Sequence, residues 1–159
     1  MSTTKKLRNK RGFTTIEMLC ALIILVLASG AMVTEIMFAS HTYKESLDVS
    51  QGQLLCSTLT NTVKQQLRAA ENIKTGDDGK VTSFFCSDYG EGIFRADEGG
   101  QIYFGETPVL SSGAYPNGLR AQVELSYDAN KNIFKAEITV SSPAGQTLAS
   151  SEFSAAPMN

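Results

Sequence analysis

The chain has 159 residues, of which 42% are hydrophobic and 19% are charged. This length accommodates one domain with a hydrophobic core but not two domains of ordinary size. The composition is that of a folded protein and excludes a disordered chain, which would carry fewer apolar residues and a higher net charge than the −2 found here.

Basic residues are concentrated at the N-terminus. Five lysines and arginines fall within the first twelve residues with no acidic residue among them, namely Lys5, Lys6, Arg8, Lys10 and Arg11. Acidic residues outnumber basic ones in the rest of the chain. An acidic body gives no electrostatic support for direct nucleic-acid binding. The basic cluster precedes an apolar segment, which is typical of a segment that meets a membrane surface.

The apolar segment covers residues 13–33 and contains one charged residue, Glu17. About 20 residues of helix cross the hydrocarbon core of a bilayer, so the segment is long enough to span a membrane. Lysine and arginine collect on the cytoplasmic side of membrane helices. The sequence therefore predicts a single-pass protein of the cytoplasmic membrane, with its N-terminus in the cytoplasm and its body outside.

Three alternative interpretations of this segment are a secretory signal peptide, a lipoprotein signal and a plain anchor. A signal peptidase would cut near Ala28-Ser29-Gly30. A lipid-attachment cysteine would follow the apolar segment, whereas Cys20 lies near its start. Neither a signal peptide nor a plain anchor accounts for Glu17. A carboxylate in a membrane helix costs roughly 2.5–3.5 kcal/mol, so such a residue indicates a function.

The residues at the start of the segment resemble the signal of type IV prepilins. Positions 10–13 read Lys-Arg-Gly-Phe, and Glu17 is the fifth residue counted from Phe13. The resemblance implies that a prepilin peptidase removes residues 1–12 as a leader by cutting after Gly12. It also implies N-methylation of the new amino terminus of Phe13, and a role for Glu17 in methylation and assembly. Many pilins carry a proline within this helix, and this chain does not.

The composition after the apolar segment predicts that the helix continues to about residue 71. At about 100° per residue, two different apolar faces follow each other along it. The first face is expected to contact neighbouring subunits and consists of Ile36, Tyr43, Leu47 and Leu54. The second is expected to pack on the chain's own sheet and consists of Leu55, Cys56, Leu59, Val63 and Leu67.

Short β-type runs separated by turn residues follow the helix. They cover residues 81–86, 92–95, 101–104, 119–127, 133–140 and 147–153. The sequence therefore predicts an α+β fold of pilin-like architecture. A long N-terminal helix, membrane-spanning in its first half and amphipathic in its second, packs on a small antiparallel β-meander. The predicted divisions are the leader (1–12), a transmembrane or filament-core helix (13–38) and an extracytoplasmic globular domain (39–159).

No catalytic motif occurs in the sequence, which predicts neither an enzyme nor a cofactor. Asp128, Asn130 and Asn132 imitate the first half of a calcium-binding loop. However, the sixth position of that loop is Ile133 rather than glycine, and the twelfth is Thr139 rather than glutamate. Because asparagine and aspartate also favour hairpin turns, a simple turn is the competing interpretation.

Cys56 and Cys86 are candidates for a disulfide. Cys56 lies on the helix face that is expected to pack on the sheet, and Cys86 ends the first predicted strand. Both residues are expected outside the membrane, where disulfides form. Two buried free thiols are the alternative.

Together these features predict a structural subunit, either a minor pilin or a pseudopilin. A type IV pilus, a type II secretion pseudopilus and a competence pseudopilus are all compatible with the sequence. The resemblance implies that its partners are like subunits, a prepilin peptidase, and the platform protein and assembly ATPase of the inner membrane. The assembled filament would lie at the cell surface, in the periplasm or in the cell wall. The alternative function is that of a single-pass, membrane-anchored extracytoplasmic binding domain.

Overall fold

The computed structural model describes residues 14–76 and 80–158. Within these residues it contains one long helix, α1 (Thr15–Arg68), followed by nine strands in three antiparallel sheets. The chain divides into two compact units, Met1–Tyr43 and Lys44–Asn159, here called unit 1 and unit 2. Helix α1 contributes residues to both units.

All three sheets belong to unit 2, and each has three strands in chain order. The first sheet contains β1 (Glu71–Thr75), β2 (Val81–Cys86) and β3 (Gly90–Gly92). The second sheet contains β4 (Phe94–Ala96), β5 (Ile102–Phe104) and β6 (Thr107–Pro108). The third sheet contains β7 (Arg120–Asp128), β8 (Ile133–Ser141) and β9 (Thr147–Ala155). Two short 3-10 turns, Ser112–Ala114 and Pro116–Gly118, lie between the second and third sheets.

The predicted fold class is confirmed, because a long N-terminal helix packs on antiparallel sheets. Strand β2 has the predicted bounds, and β7, β8 and β9 agree with prediction to within two residues. Strands β7, β8 and β9 form the predicted antiparallel meander, and the other strands form two further small sheets. The structure therefore confirms the predicted architecture and adds these two sheets to it.

The end of α1 differs from the prediction. The helix stops at Arg68 rather than near residue 71, and β1 begins at Glu71. The backbone amide of Met158 donates to the Arg68 carbonyl at 2.9 Å, which satisfies one of the last carbonyls of the helix. Asn72 then has a φ of 51°, a left-handed conformation that asparagine tolerates better than most residues. The helix end is therefore tied to a C-terminal residue that lies far away in the sequence, and β1 begins two residues beyond it.

The amphipathic part of α1 supplies one wall of the hydrophobic core of unit 2. Leu55, Leu59, Val63 and Leu67 recur every three to four residues, which places them on one face of the helix. All four side chains are buried. The predicted second face of the helix is therefore confirmed.

Alternating residues of the third sheet form another wall of this core. Phe134, Ala136, Ile138 and Val140 of β8 are buried, while the residues between them are more exposed. Since successive side chains of a strand point to opposite faces, the sheet has one buried face and one solvated face.

Phenylalanine side chains join the three sheets. The ring of Phe84 on β2 lies 5.1 Å from that of Phe104 on β5, 5.9 Å from that of Phe94 on β4 and 5.6 Å from that of Phe134 on β8, measured between centroids. Aromatic pairs at these separations contribute roughly 0.5–1.5 kcal/mol beyond the burial of their area. Phe84 is therefore the side chain through which all three sheets meet.

Gly52 allows β9 to approach α1 closely. This glycine is buried, and a Cβ atom at its position would lie 2.9 Å from the Cβ of Leu148. Glycine in a helix interior is less favourable than alanine by roughly 1 kcal/mol. The close contact with Leu148 accounts for the presence of a glycine in the middle of an otherwise well-formed helix.

We expect Gly52→Ala to lower the free energy of unfolding of unit 2 by about 1 kcal/mol, because overpacking costs more than the gain in helix propensity. Urea unfolding of the full chain in detergent, followed by circular dichroism, measures the change. Gly113→Ala is the matched control, since no atom lies within 4 Å of a Cβ built there. A Gly52→Ala protein more stable than the wild type would show that Leu148 yields freely.

Candidate processing and assembly site

The predicted processing residues, Gly12 and Phe13, lie outside the described residues, so the cut between them stays a prediction. The first residue that the structure describes is Thr14, one residue before α1. The geometry of this site is therefore that of Thr14 and the first turn of the helix.

Thr14 and Glu17 cap the start of α1 reciprocally. The backbone amide of Glu17 donates to the Thr14 hydroxyl at 3.3 Å, and the backbone amide of Thr14 donates to Oε2 of Glu17 at 3.4 Å. This is the arrangement of a capping box, in which the residue before the helix and the third helical residue satisfy each other's free amides. The carboxylate of Glu17 therefore helps to fix the first turn of the helix.

The helix dipole also acts on Glu17. Its carboxylate lies in the first turn, where the unpaired amides of the helix give a partial positive charge that favours an anion. The side chain is exposed, and among the described residues its other oxygen, Oε1, accepts no hydrogen bond. The carboxylate is thus held by its own helix through one oxygen, while the other accepts no hydrogen bond from the part of the chain that the structure describes.

Thr14 is the residue of this site that the sequence prediction missed. The signal was present, since Thr14-Thr15-Ile16-Glu17 matches the pattern in which threonine is followed three residues later by glutamate before an apolar run.

Helix α1 is long enough, and its first half apolar enough, to cross a membrane. None of this apolar stretch is buried in the protein. Hydroxyl groups within and after this stretch are satisfied locally. Ser29 donates to the Val26 carbonyl at 2.9 Å, and Thr34 donates to the Ala31 carbonyl at 2.7 Å. Hydrogen bonds within the helix remove the penalty of unpaired hydroxyls in lipid. The helix runs without interruption through Gly30.

The predicted disulfide between Cys56 and Cys86 is not formed in this structure, where both cysteines are free and buried. The thiol of Cys86 donates to the Gln66 carbonyl at 3.5 Å, and that of Cys56 donates to the Ile138 carbonyl at 3.7 Å. Gln66 lies about 15 Å beyond Cys56 along the helix, at 1.5 Å per residue. A disulfide requires Cα atoms about 4.4–6.8 Å apart. This structure therefore does not bring the two cysteines together, because Cys86 at the end of β2 packs beside Gln66, further along the helix than Cys56.

Burial makes both thiols weakly acidic. Burial raises the pKa of Cys86 from 9.0 to about 11, and the carboxylate of Asp88 adds to the effect. Burial also raises the pKa of Cys56, against a smaller lowering effect of the neighbouring Thr60 hydroxyl. Because the thiolate is the reactive form of cysteine, both residues are chemically protected in the folded protein.

The calcium candidate has the geometry of a turn. The carboxylate of Asp128 accepts hydrogen bonds from the backbone amides of Asn130 at 3.1 Å and Lys131 at 3.3 Å. The ammonium group of Lys131 lies 3.9 Å from the same carboxylate, and the hydroxyl of Tyr127 donates to Asn132 at 2.6 Å. Asn132 has a φ of 53°, as tight turns require. These oxygens therefore already serve the β7–β8 hairpin, and a lysine lies beside them.

The site and fold together describe a protein with an apolar N-terminal helix, an acidic residue in its first turn and a separate folded α+β unit. No family model, no curated protein and no solved structure matches the chain.

We expect neither Cys56 nor Cys86 to react readily with iodoacetamide at pH 8 in the folded protein, since both thiolates are disfavoured there. In a Cys20→Ser background, mass spectrometry should find two alkyl groups after unfolding without reductant. A covalently joined pair of peptides containing Cys56 and Cys86 would contradict this result.

The raised pKa of Cys86 also means that the folded state keeps a proton that the unfolded state loses. The stability of unit 2 should therefore fall as the pH rises from about 9 to about 11.

Proposed function

We propose that this chain is a structural subunit of a pilus or pseudopilus, with a membrane-anchored helix and no enzymatic activity of its own. One observation carries the proposal. The apolar segment 13–33 has its single acidic residue, Glu17, in the first turn of the helix, four residues after the Phe that ends the Lys-Arg-Gly-Phe sequence at positions 10–13. An ordinary anchor needs neither that acid nor that junction.

The exposed apolar surface of α1 supports the proposal. Ile24, Leu25 and Leu27 are each about two-thirds exposed, as are most other large apolar residues of the first half of the helix. Such a surface requires lipid around it before assembly and other apolar helices around it afterwards. A helix that alternates between these surroundings fits a subunit that leaves the membrane to join a filament.

The composition of the core of unit 2 supports the proposal as well. Its buried apolar residues extend from Leu55 to Ala155, so the apolar first half of α1 contributes none of them. Of the four residues predicted to face neighbouring subunits, Ile36, Tyr43 and Leu54 are more than 60% exposed and Leu47 is 38% exposed. The apolar surface of the first half of α1 is therefore not needed to fold the body and is available for assembly.

The proposal assigns the remaining partners and the location of the protein. A prepilin peptidase would cut after Gly12 on the cytoplasmic side of the membrane, and the amino terminus of Phe13 would be methylated. A platform protein and an assembly ATPase would then extract the subunit from the membrane. Unit 2 would lie outside the cytoplasm throughout, and like subunits would surround α1 in the filament.

The mature chain should begin at Phe13. Replacing Gly12 with a bulky residue, as in Gly12→Trp, should leave the full-length precursor in the membrane, because a large side chain obstructs the extended backbone in a protease site. N-terminal sequencing and intact-mass measurement of protein from its native host test both results. A mature chain beginning near Ala31 would show that a signal peptidase removes the segment instead.

Glu17→Gln and Glu17→Ala should both abolish incorporation into filaments while leader removal continues, because the cut lies upstream of residue 17. We expect the carboxylate to pair with the new amino terminus of an adjacent subunit. Such a pair adds little net stability in a dry core, but an unpartnered charge there costs about 3–5 kcal/mol. Gel shift of the precursor and shearing of filaments from cells measure the two steps.

Glutamine can still accept the amide of Thr14, so Glu17→Gln removes the charge without removing the cap. Thr14→Ala is the complementary control, since it removes the hydroxyl cap and keeps the carboxylate. Thr14→Ala should be incorporated better than Glu17→Gln. Normal incorporation of both Glu17 variants would show that the carboxylate has no part in assembly.

A further inference from the structure

Strand β9 is the outer strand of the third sheet. It pairs with β8 along residues 134–141, and the order of the sheet places no strand on its other side. No backbone hydrogen bond joins the outer edge of β9 to any other part of the chain that the structure describes. The opposite edge of the sheet differs, because the Ala121 amide on β7 donates to the Gly100 carbonyl at 2.7 Å.

Lysine, proline and inward-pointing charges, which often protect an exposed edge, are missing from β9, and its pairing with β8 is irregular only at Leu148. Long edge strands are commonly blocked by lysine, by proline or by inward-pointing charges. Residues 147–155 contain none of these and have a single charge, that of Glu152. Apart from Leu148 and Phe153, the other side chains are those of serine, threonine and alanine. The edge therefore presents free amides and carbonyls with little steric obstruction.

An open groove of about 250 Å³ runs beside this edge. Its walls are α1 on one side and residues 149–151 of β9 on the other, and the helix contributes Gln53, Ser57 and Asn61. Thr60 also lines it, with its hydroxyl oxygen buried beside Cys56. The groove is polar and is lined by small side chains.

Three glutamates form a row across the solvated face of the third sheet. Glu124 on β7 lies directly opposite Glu137 on β8, and Glu137 lies directly opposite Glu152 on β9. Like charges in directly opposite positions destabilise a sheet, whereas opposite charges stabilise it. Lys80 and Lys135 line the same surface as these glutamates. The row ends at the free edge, so a strand added there would place a side chain next to Glu152.

We infer that the outer edge of β9 binds an extended basic segment of a partner protein, which adds to the third sheet as a fourth strand. Backbone hydrogen bonds along the edge would provide affinity, as in other complexes formed by strand addition. A lysine or arginine opposite Glu152 would provide specificity by neutralising the end of the glutamate row. Small side chains would occupy the positions that face the groove.

A second copy of this chain is a poor occupant of the same edge. Antiparallel pairing of two β9 strands in the register that sets Glu152 of each copy opposite Glu152 of the other joins the two glutamate rows end to end. The row of three carboxylates would then become a row of six. The charge pattern therefore selects a basic partner over self-association, and the inference stands apart from the proposed function of α1.

Two synthetic peptides of nine residues test the inference with the full chain in a non-ionic detergent. Both alternate threonine and serine around a central residue, which is lysine in one peptide and glutamate in the other. Fluorescence anisotropy should show that the lysine peptide binds about threefold to fivefold more tightly than the glutamate peptide. Hydrogen exchange should show new protection of amides in residues 147–155 and no change in β7.

Glu152→Lys should reverse the preference between the two peptides. Glu124→Lys is the matched control, because it makes the same charge change in the same row at two strand spacings, about 10 Å, from the edge. That variant should keep the preference to within about twofold. The inference is overturned if neither peptide binds at about 1 mM, or if Glu124→Lys changes the preference as much as Glu152→Lys. It is equally overturned if protection of β9 rises with protein concentration alone, which would identify a second copy as the occupant.

Discussion

A single helix must satisfy two different surroundings, and the rest of the structure follows from that constraint. In its first half, apolar residues are distributed all around α1, as expected where lipid or other helices surround it. In its second half they narrow to the face of Leu55, Leu59, Val63 and Leu67, which covers the sheets of unit 2. Gly52 lies at the beginning of this second half, where Leu148 comes too close for a side chain. The buried residues of the helix begin at that point.

Much of unit 2 could be predicted because its strands alternate clearly. β8 has a buried residue at every second position, and the turn residues around it mark its ends. β1 could not be predicted, because Glu71–Thr75 is polar and its place depends on pairing with β2 and on the contact of Met158 with Arg68. Neither contact has a local signal in the sequence. The same reason applies to Cys56 and Cys86. Helical periodicity gives the face on which Cys56 lies, but it does not determine which strand residue packs beside it.

The start of α1 shows the opposite case. The capping-box pattern of Thr14 and Glu17 was visible in the sequence, but Glu17 was interpreted only as an assembly residue. Thr14 and Glu17 satisfy each other as a capping box, which any helix could use. The cap does not exclude a role in assembly, because it uses only one carboxylate oxygen and the side chain is exposed. It does mean that loss of function in Glu17→Ala has two possible physical causes. Only a variant that keeps the cap and removes the charge separates them.

In the proposed assembly, Glu17 accounts for most of the free-energy change when α1 leaves the membrane for the filament. Lipid chains are about as apolar as leucine side chains, so the apolar residues of α1 gain or lose little when neighbouring helices replace lipid. A carboxylate differs, since it is costly in either environment until a cation neutralises it. The first turn of α1 lies directly after the residue whose amino group cleavage would expose. The step that creates this amine therefore also creates the partner that makes burial of Glu17 tolerable, which would couple processing to assembly through a single charge pair.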